Sequence, residues 1–241
     1  MNLYTIADLH LCFCDPDKTM EVFPGWEKYQ DRLKENWIST VTPEDTVVLA
    51  GDISWGMTMQ QALPDFRFLN ELPGKKIILK GNHDYWWGTM NKMENFLKEN
   101  ALDSISILHN NHYEFMGKGI CGTRGWVSIN GESQDEKVLR REVQRLEASI
   151  QSAIAADLEP VVFMHYPPIF AGNFNYDILE VLYRNKIKDC YYGHIHGRSA
   201  HELCVQGVYD DINFHLISGD FLQFMPERVM QFCSKHRSNA F

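Results

Sequence analysis

The chain has 241 residues, 44% hydrophobic and 23% charged, with 16 Gly and 9 Pro. That composition excludes collagen-like and disordered classes and predicts one domain over residues 1–241. The formal net charge of -9 excludes non-specific nucleic-acid binding, which needs many Lys and Arg on phosphates. Bound divalent cations could still make a pocket electropositive, so a small phosphorylated substrate fits an otherwise acidic chain. No apolar run approaches the roughly 20 residues that cross a bilayer, so no membrane contact is expected. The six cysteines form no paired CxxC framework, and the segment MNLYTIADLH has no basic-then-apolar leader pattern. A reducing, cytoplasmic setting is the expectation, and nothing in the sequence specifies an oligomeric state.

Residues 3–7 read as a short buried strand that runs into Asp8-Leu9-His10. In extended backbone, side chains two residues apart share a face, so Asp8 and His10 could bind one cation. A strand-end turn with a solvated Asp explains the pair equally simply. The loop at 11–25, rich in Pro, Gly and Asp, leads to a predicted helix at 26–40 and is placed to overhang a site. A second strand, 46–50, ends in Gly51-Asp52, where a carboxylate could bridge two cations or merely serve a βα turn. A helix is predicted at 58–71.

The third strand, 76–80, is followed by Gly81-Asn82-His83-Asp84, a more specific cluster. Asn82 offers a neutral oxygen ligand, His83 a hydrogen-bond donor to phosphate or a leaving group, and Asp84 a partner to hold the His83 ring in one tautomer. Trp55 and Tyr85, Trp86 and Trp87 sit beside these motifs, where they either stack on a flat substrate group or pack beneath the site. A helix at 88–100 follows. Arg124, in a Gly-rich loop at 122–133, could clamp a phosphate through two guanidinium N–H groups or form an ion pair.

The helix at 134–156 has the clearest period, with Leu139, Val143, Leu146, Ile150 and Ala153 on one face and Ser133 with Glu136 as a capping box. Strand 161–164 ends in His165-Tyr166-Pro167-Pro168. Strand 190–192 ends in Gly193-His194-Ile195-His196, whose imidazoles share a face. Residues 200–208 and 212–218, separated by Tyr209-Asp210-Asp211, resemble an antiparallel hairpin able to complete a second sheet. Alternating strands and helices indicate an α/β layered fold with parallel pairing in the first half.

The ordered series Asp8-x-His10, Gly51-Asp52, Gly81-Asn82-His83-Asp84, His165 and Gly193-His194-x-His196 resembles the calcineurin-like metallophosphoesterase superfamily, in particular its small bacterial phosphohydrolases. The resemblance implies a four-layer αββα sandwich with two mixed β-sheets and a dinuclear site at the strand ends. It implies that Asp8, His10 and His196 hold one metal, that Asn82, His165 and His194 hold the other, and that Asp52 bridges them. It further implies that His83 assists the leaving group with Asp84 as its partner, while a metal-bridging hydroxide attacks the phosphorus.

The N/O donor set suits Mn, Fe or Zn, and paired ions about 3.5 to 4 Å apart would clamp an in-line displacement. Substrate contacts are assigned to Arg124, Tyr85 and Trp86. The implied activity is phosphomonoester or phosphodiester hydrolysis. The alternatives are a non-catalytic metal-binding scaffold, against which His83 argues, and a nuclease or protein phosphatase using the same metal chemistry.

Overall fold

The structure is a computed structural model that describes residues 1–126 and 136–231. In chain order the first strands are β1 (Asn2–Ile6), β2 (Thr46–Ala50), β3 (Lys75–Leu79), β4 (Ile105–Ile107), β5 (Tyr113–Phe115) and β6 (Lys118–Thr123). They are followed by β7 (Glu159–Met164), β8 (Ile169–Phe170), β9 (Asn173–Phe174), β10 (Asp189–Tyr192), β11 (Gly207–Tyr209), β12 (Ile212–Leu216) and β13 (Glu227–Gln231). The helices are α1 (Tyr29–Thr40), α2 (Met59–Glu71), α3 (Met90–Glu99), α4 (Glu136–Ile154), α5 (Tyr176–Arg184) and the short α6 (Arg198–His201).

Two mixed sheets stack face to face, in the orders β13-β1-β2-β3-β4 and β11-β12-β10-β7-β6-β5. Strands β1 to β4 pair in parallel, as do β6, β7, β10 and β12, and the antiparallel edges β13, β5 and β11 make both sheets mixed. The central strands are apolar on both faces because both faces are covered. Leu3, Val48, Ile77, Phe163, Tyr191 and Ile217 fill the space between the sheets. Leu33 and Trp37 of α1, Phe66 of α2 and Met93 of α3 cover the outer face of the first sheet. Leu146 and Ile150 of α4 and Leu179 and Leu182 of α5 cover that of the second. The result is the αββα sandwich.

Several elements differ from the sequence reading, helix α5 at Tyr176–Arg184 among them. Helix α1 begins at Tyr29 rather than 26, because the chain first turns through Gly25 (φ 89°) and Lys28 (φ 49°), both left-handed. That turn drops Trp26 into the core. The proposed hairpin arm at 200–208 contributes only Gly207–Tyr209, since residues 198–201 close a helical turn on Gly197, with His201 N–H donating to its carbonyl at 3.0 Å. The weakly patterned strands β4, β5 and β6 were not expected; they are short or, like Lys-Gly-Ile-Cys-Gly-Thr, interrupted by glycine. Helix α4 follows the expected periodicity, while Ser133 and its proposed cap lie outside the described residues.

Phe163 is fully buried and stacked on Tyr191 at 5.0 Å in the space between the sheets. Its truncation leaves a void that neither sheet can close. Phe163→Ala is expected to destabilise the fold by about 3–5 kcal/mol, measured by urea unfolding. Truncating the exposed Ile38 should change stability by less than about 0.5 kcal/mol.

Candidate metal centre

Because β1, β2 and β3 are parallel neighbours, their carboxyl ends emerge side by side, and β7, β10 and β12 emerge from the facing sheet in the same way. A parallel bridge between Ala7 and Ser218, with Ala7 N–H donating to the Ile217 carbonyl at 2.8 Å, joins the two sheets there. The loops are laced at the same level: Asp8 N–H donates to the Gly51 carbonyl at 3.0 Å, and His10 N–H to the Asp52 carbonyl at 2.9 Å. Asp8 (φ 59°), His10 (φ 43°), Asp52 (φ 51°) and His194 (φ 74°) all adopt left-handed backbone. Such conformations cost of order 1–3 kcal/mol each in non-glycine residues and survive where the surroundings over-determine them. They turn the chain back on itself so that consecutive motif side chains reach one cleft.

Two donor groups result. Asp8, His10 and His196 present donor atoms within 4.8 Å of one another, and Asp52, His165 and His194 do the same. Asp52 lies between the groups: its Oδ2 is 3.6 Å from His10 Nε2 and 3.5 Å from His165 Nε2. Asn82 joins the second group, its Oδ1 2.6 Å from His165 Nε2. Glycine is required for this closeness, since a Cβ on Gly81 would stand 2.1 Å from Asp52 Oδ1, and one on Gly193 2.5 Å from Asp8 Oδ2.

The electrostatics are those of a cluster that suits added positive charge. Burial pushes the Asp8 carboxyl well above the usual range, reinforced by Asp52 and opposed by His196; burial likewise raises Asp52. Burial lowers His10, His165 and His194, which keeps these imidazoles neutral and able to ligate. His196 moves the other way: burial lowers it, but the Asp220 hydrogen bond and the charges of Asp8, Asp220 and Asp52 outweigh that. Asp8 Oδ1 is buried without a hydrogen-bond partner, a costly arrangement for a carboxylate oxygen. Buried oxygen and neutral nitrogen donors with such an orphaned atom fit a pair of divalent cations.

His83 borders this cleft, its ring 4.7 Å from Trp55 and 5.7 Å from His10. Its backbone N–H donates to Asp52 Oδ1 at 2.8 Å. Asp84 does not orient it as the sequence suggested, and His83 Nδ1 has no partner. The Asp84 carboxylate instead accepts from the backbone N–H groups of Gly81 (2.7 Å), Asp52 (3.0 Å) and Ile53 (2.8 Å) and from Trp86 Nε1 (3.0 Å). With a longer bond from Ser54 N–H at 3.4 Å, five donors converge on it because the chain curls around it, so it clips together the turns bearing Asp52 and Asn82.

Trp86 is buried against Phe66 and so has no face to offer a substrate. Tyr85 is 56% exposed and meets the His83 ring edge-on at 6.2 Å. Arg124 lies 3.5 Å from the buried Glu142 and over the Trp126 ring, an ion pair rather than a free clamp. The expected overhanging loop 122–133 is described only to residue 126.

Two contributors escaped the sequence reading. Asp220, after β12, accepts from His196 Nδ1 at 3.0 Å and from Gly197 N–H at 2.8 Å, fixing which ring nitrogen faces the cleft. Its Gly219-Asp220 setting repeats the Gly51-Asp52 pattern and could have revealed it. Trp26 packs edge-on against His10 at 5.7 Å and His196 at 5.4 Å, while Trp55 stacks on His10 at 4.9 Å.

The family model for calcineurin-like phosphoesterases matches residues 1–198, which include every motif of the cleft through His196. The chain belongs to the calcineurin-like phosphoesterase family. This calcineurin-like phosphoesterase is similar in fold to a phosphopantetheinyl hydrolase from Mycobacterium tuberculosis, with TM-score 0.55, 12% identity and 96% of each chain covered. It is also similar to a protein of unknown function from Aquifex aeolicus, with TM-score 0.53, 17% identity and 94% and 95% of the two chains covered. The Gene 66 protein of Mycobacterium phage L5 is 31% identical over 83 residues, which are 34% of this chain; the chain spans 40% of that relative's length. The family is dinuclear-metal dependent, and this phosphoesterase carries two candidate metal-binding groups.

With Asp8 and His196 both raised, the cluster holds extra protons in mildly acidic solution that a cation must expel. Adding Mn²⁺ at about pH 6 should therefore release protons, and fewer of them as the pH rises past about 7, where the Asp8 carboxyl gives up its own. Calorimetry in buffers of different ionisation enthalpy reads this. Removing the Asp84 clip by Asp84→Ala leaves buried N–H donors unpaired, so thermal unfolding should show a loss of about 2–4 kcal/mol together with weaker metal binding.

Proposed function

We propose that this phosphoesterase hydrolyses small phosphomonoesters or phosphodiesters at a dinuclear centre. In this reading Asp8, His10 and His196 hold one cation, Asn82, His165 and His194 hold the other, and Asp52 is shared. The observation that carries it is the position of Asp52 Oδ2, within 3.6 Å of a ring nitrogen from each group. Mn, Fe and Zn match the donor set. Divalent cations bound there supply Lewis-acid stabilisation of phosphoryl charge and activation of water.

The chain's own residues account for the rest. Neutral His10, His165 and His194 keep their lone pairs available, and Asp220 holds His196 so that Nε2 faces the cleft. His83 stands beside the groups with a ring unclaimed by Asp84, free to hydrogen-bond a phosphoryl oxygen or protonate the departing oxygen. A cysteine nucleophile is disfavoured, because burial raises both Cys12 and Cys14, keeping the thiols nearest the motif protonated. Of the two aromatics assigned to substrate from the sequence, only the exposed Tyr85 has a face to offer it.

One domain over residues 1–241 belongs to the same reading, supported by the family match over 1–198 and by β13 pairing with β1. Five described cysteines are free, and among the described residues no helix is long and apolar enough to cross a membrane.

The test is hydrolysis of p-nitrophenyl phosphate and bis(p-nitrophenyl) phosphate by metal-stripped protein reloaded with Mn, Fe or Zn. Asp52→Ala should lose metal and turnover together. His83→Ala leaves the backbone bond to Asp52 in place and should keep both metals while kcat falls about 10²- to 10⁴-fold. Two tightly held metals in Asp52→Ala would overturn the shared-ligand assignment. Full turnover in His83→Ala would remove that residue from the reaction.

A further inference from the structure

Beside His196 the cleft continues into an open cavity of about 890 Å³ that none of the metal or proton roles above uses. Its walls are Met20, Phe23 and Pro24 from the loop after β1, and Ser199 from α6; Trp26 and His196 form its inner end. Trp26 is buried and meets both His196 and His10 edge-on, so the apolar wall is continuous with the first donor group.

The loop that carries this wall is held in shape. Thr19 accepts from Glu21 N–H at 3.2 Å, Glu21 accepts from Lys28 N–H at 3.1 Å, and Arg32 donates to the Gly25 carbonyl at 2.9 Å. Phe23, on this loop, is 52% exposed. A contiguous exposed apolar wall that opens on polar catalytic machinery is the usual form of a ligand pocket.

We infer that this cavity is the subsite for an apolar alkyl or aryl group of the substrate, so that the preferred phosphoesters are amphipathic. The inference rests on the phosphoester reading above and names its substrate class. With the phosphoryl group at the donor cluster, the organic part lies along Trp26 toward Phe23 and Met20. The opposite rim carries Arg198 and Glu202, which pair at 3.9 Å in solvent and leave the apolar wall unopposed by a buried charge.

The test is calorimetric binding of methylphosphonate and hexylphosphonate to the Mn-loaded protein, with p-nitrophenyl phosphate hydrolysis measured on the same samples. Hexylphosphonate is expected to bind at least about tenfold tighter, the gain of roughly two buried methylenes. Two variants change the cavity from opposite walls: Phe23→Ser removes apolar surface, and Ser199→Trp fills the space from an exposed position. Both should reduce the preference to less than about threefold while leaving methylphosphonate affinity unchanged.

Equal affinity of the two phosphonates, no hexylphosphonate binding, or a preference that persists in both variants would overturn the subsite. A protein that hydrolyses p-nitrophenyl phosphate without any chain-length preference loses the subsite alone. One that shows the preference and its loss in the variants, but does not turn over p-nitrophenyl phosphate, keeps the subsite and loses the hydrolase reading.

Discussion

Two carboxylates, Asp8 and Asp52, are buried at the meeting point of two sheets, and most of the surrounding architecture compensates for that burial. Removing a carboxylate from water costs several kcal/mol unless donors or cations replace the solvent. Some replacement comes from backbone: His194 N–H donates to Asp8 Oδ2 at 2.8 Å, and His83 N–H to Asp52 Oδ1 at 2.8 Å. Each carboxylate thus spends one oxygen on a motif loop from another strand and presents the other toward imidazoles. The remaining imbalance explains why Asp8 and Asp52 are both raised, and it is the type of imbalance that divalent cations relieve.

The same constraint accounts for the backbone strain. The site's side chains come from six strand ends, and after β1, β2 and β10 left-handed residues at Asp8, His10, Asp52 and His194 turn the chain into the cleft. Gly81 and Gly193 then permit contacts that a Cβ would forbid. Asp84 secures two of the turns from below. Its burial without a role at His83 is intelligible on this basis: it substitutes for a local hydrogen-bonded turn in holding Asp52 and Asn82 at fixed separation. The inter-sheet core, led by Phe163 and Tyr191, sets the distance across the cleft.

The layered fold was legible because the central strands, such as Thr46–Ala50 and Lys75–Leu79, are apolar runs that stop at glycine and polar clusters. The donor residues were legible because they occupy those stops. Asp220 was hidden by position: its partner is 24 residues away in sequence and becomes a neighbour only when β12 pairs with β10. The Asp84 role was misread because adjacency to His83 suggested a side-chain bond, whereas the turn directs the carboxylate inward to backbone donors. Trp86 and Trp87 follow the same motif as Tyr85, yet their fates differ with the direction each Cα–Cβ bond takes after the turn. Composition carries no trace of that.

Aromatic rings set the polarity around the donor groups. Trp26 and Trp55 cover His10 on different sides, and Tyr166 lies 4.2 Å from His194, so the donor groups are bounded by low-dielectric surface. Charge interactions strengthen as water is excluded, both the repulsion between Asp8 and Asp52 and the attraction of either to a cation. A net acidic surface would slow the approach of a phosphate by long-range repulsion, but screening confines that effect to roughly 8–10 Å at physiological salt. Inside the cleft the local groups decide, and the aromatic boundary makes them decisive. The rings that help to lower His10 also supply, through Trp26, the inner wall of the neighbouring apolar cavity. The first donor group and the apolar cavity therefore share one structural element, Trp26, which sits just after the Gly25 turn where α1 was expected to begin.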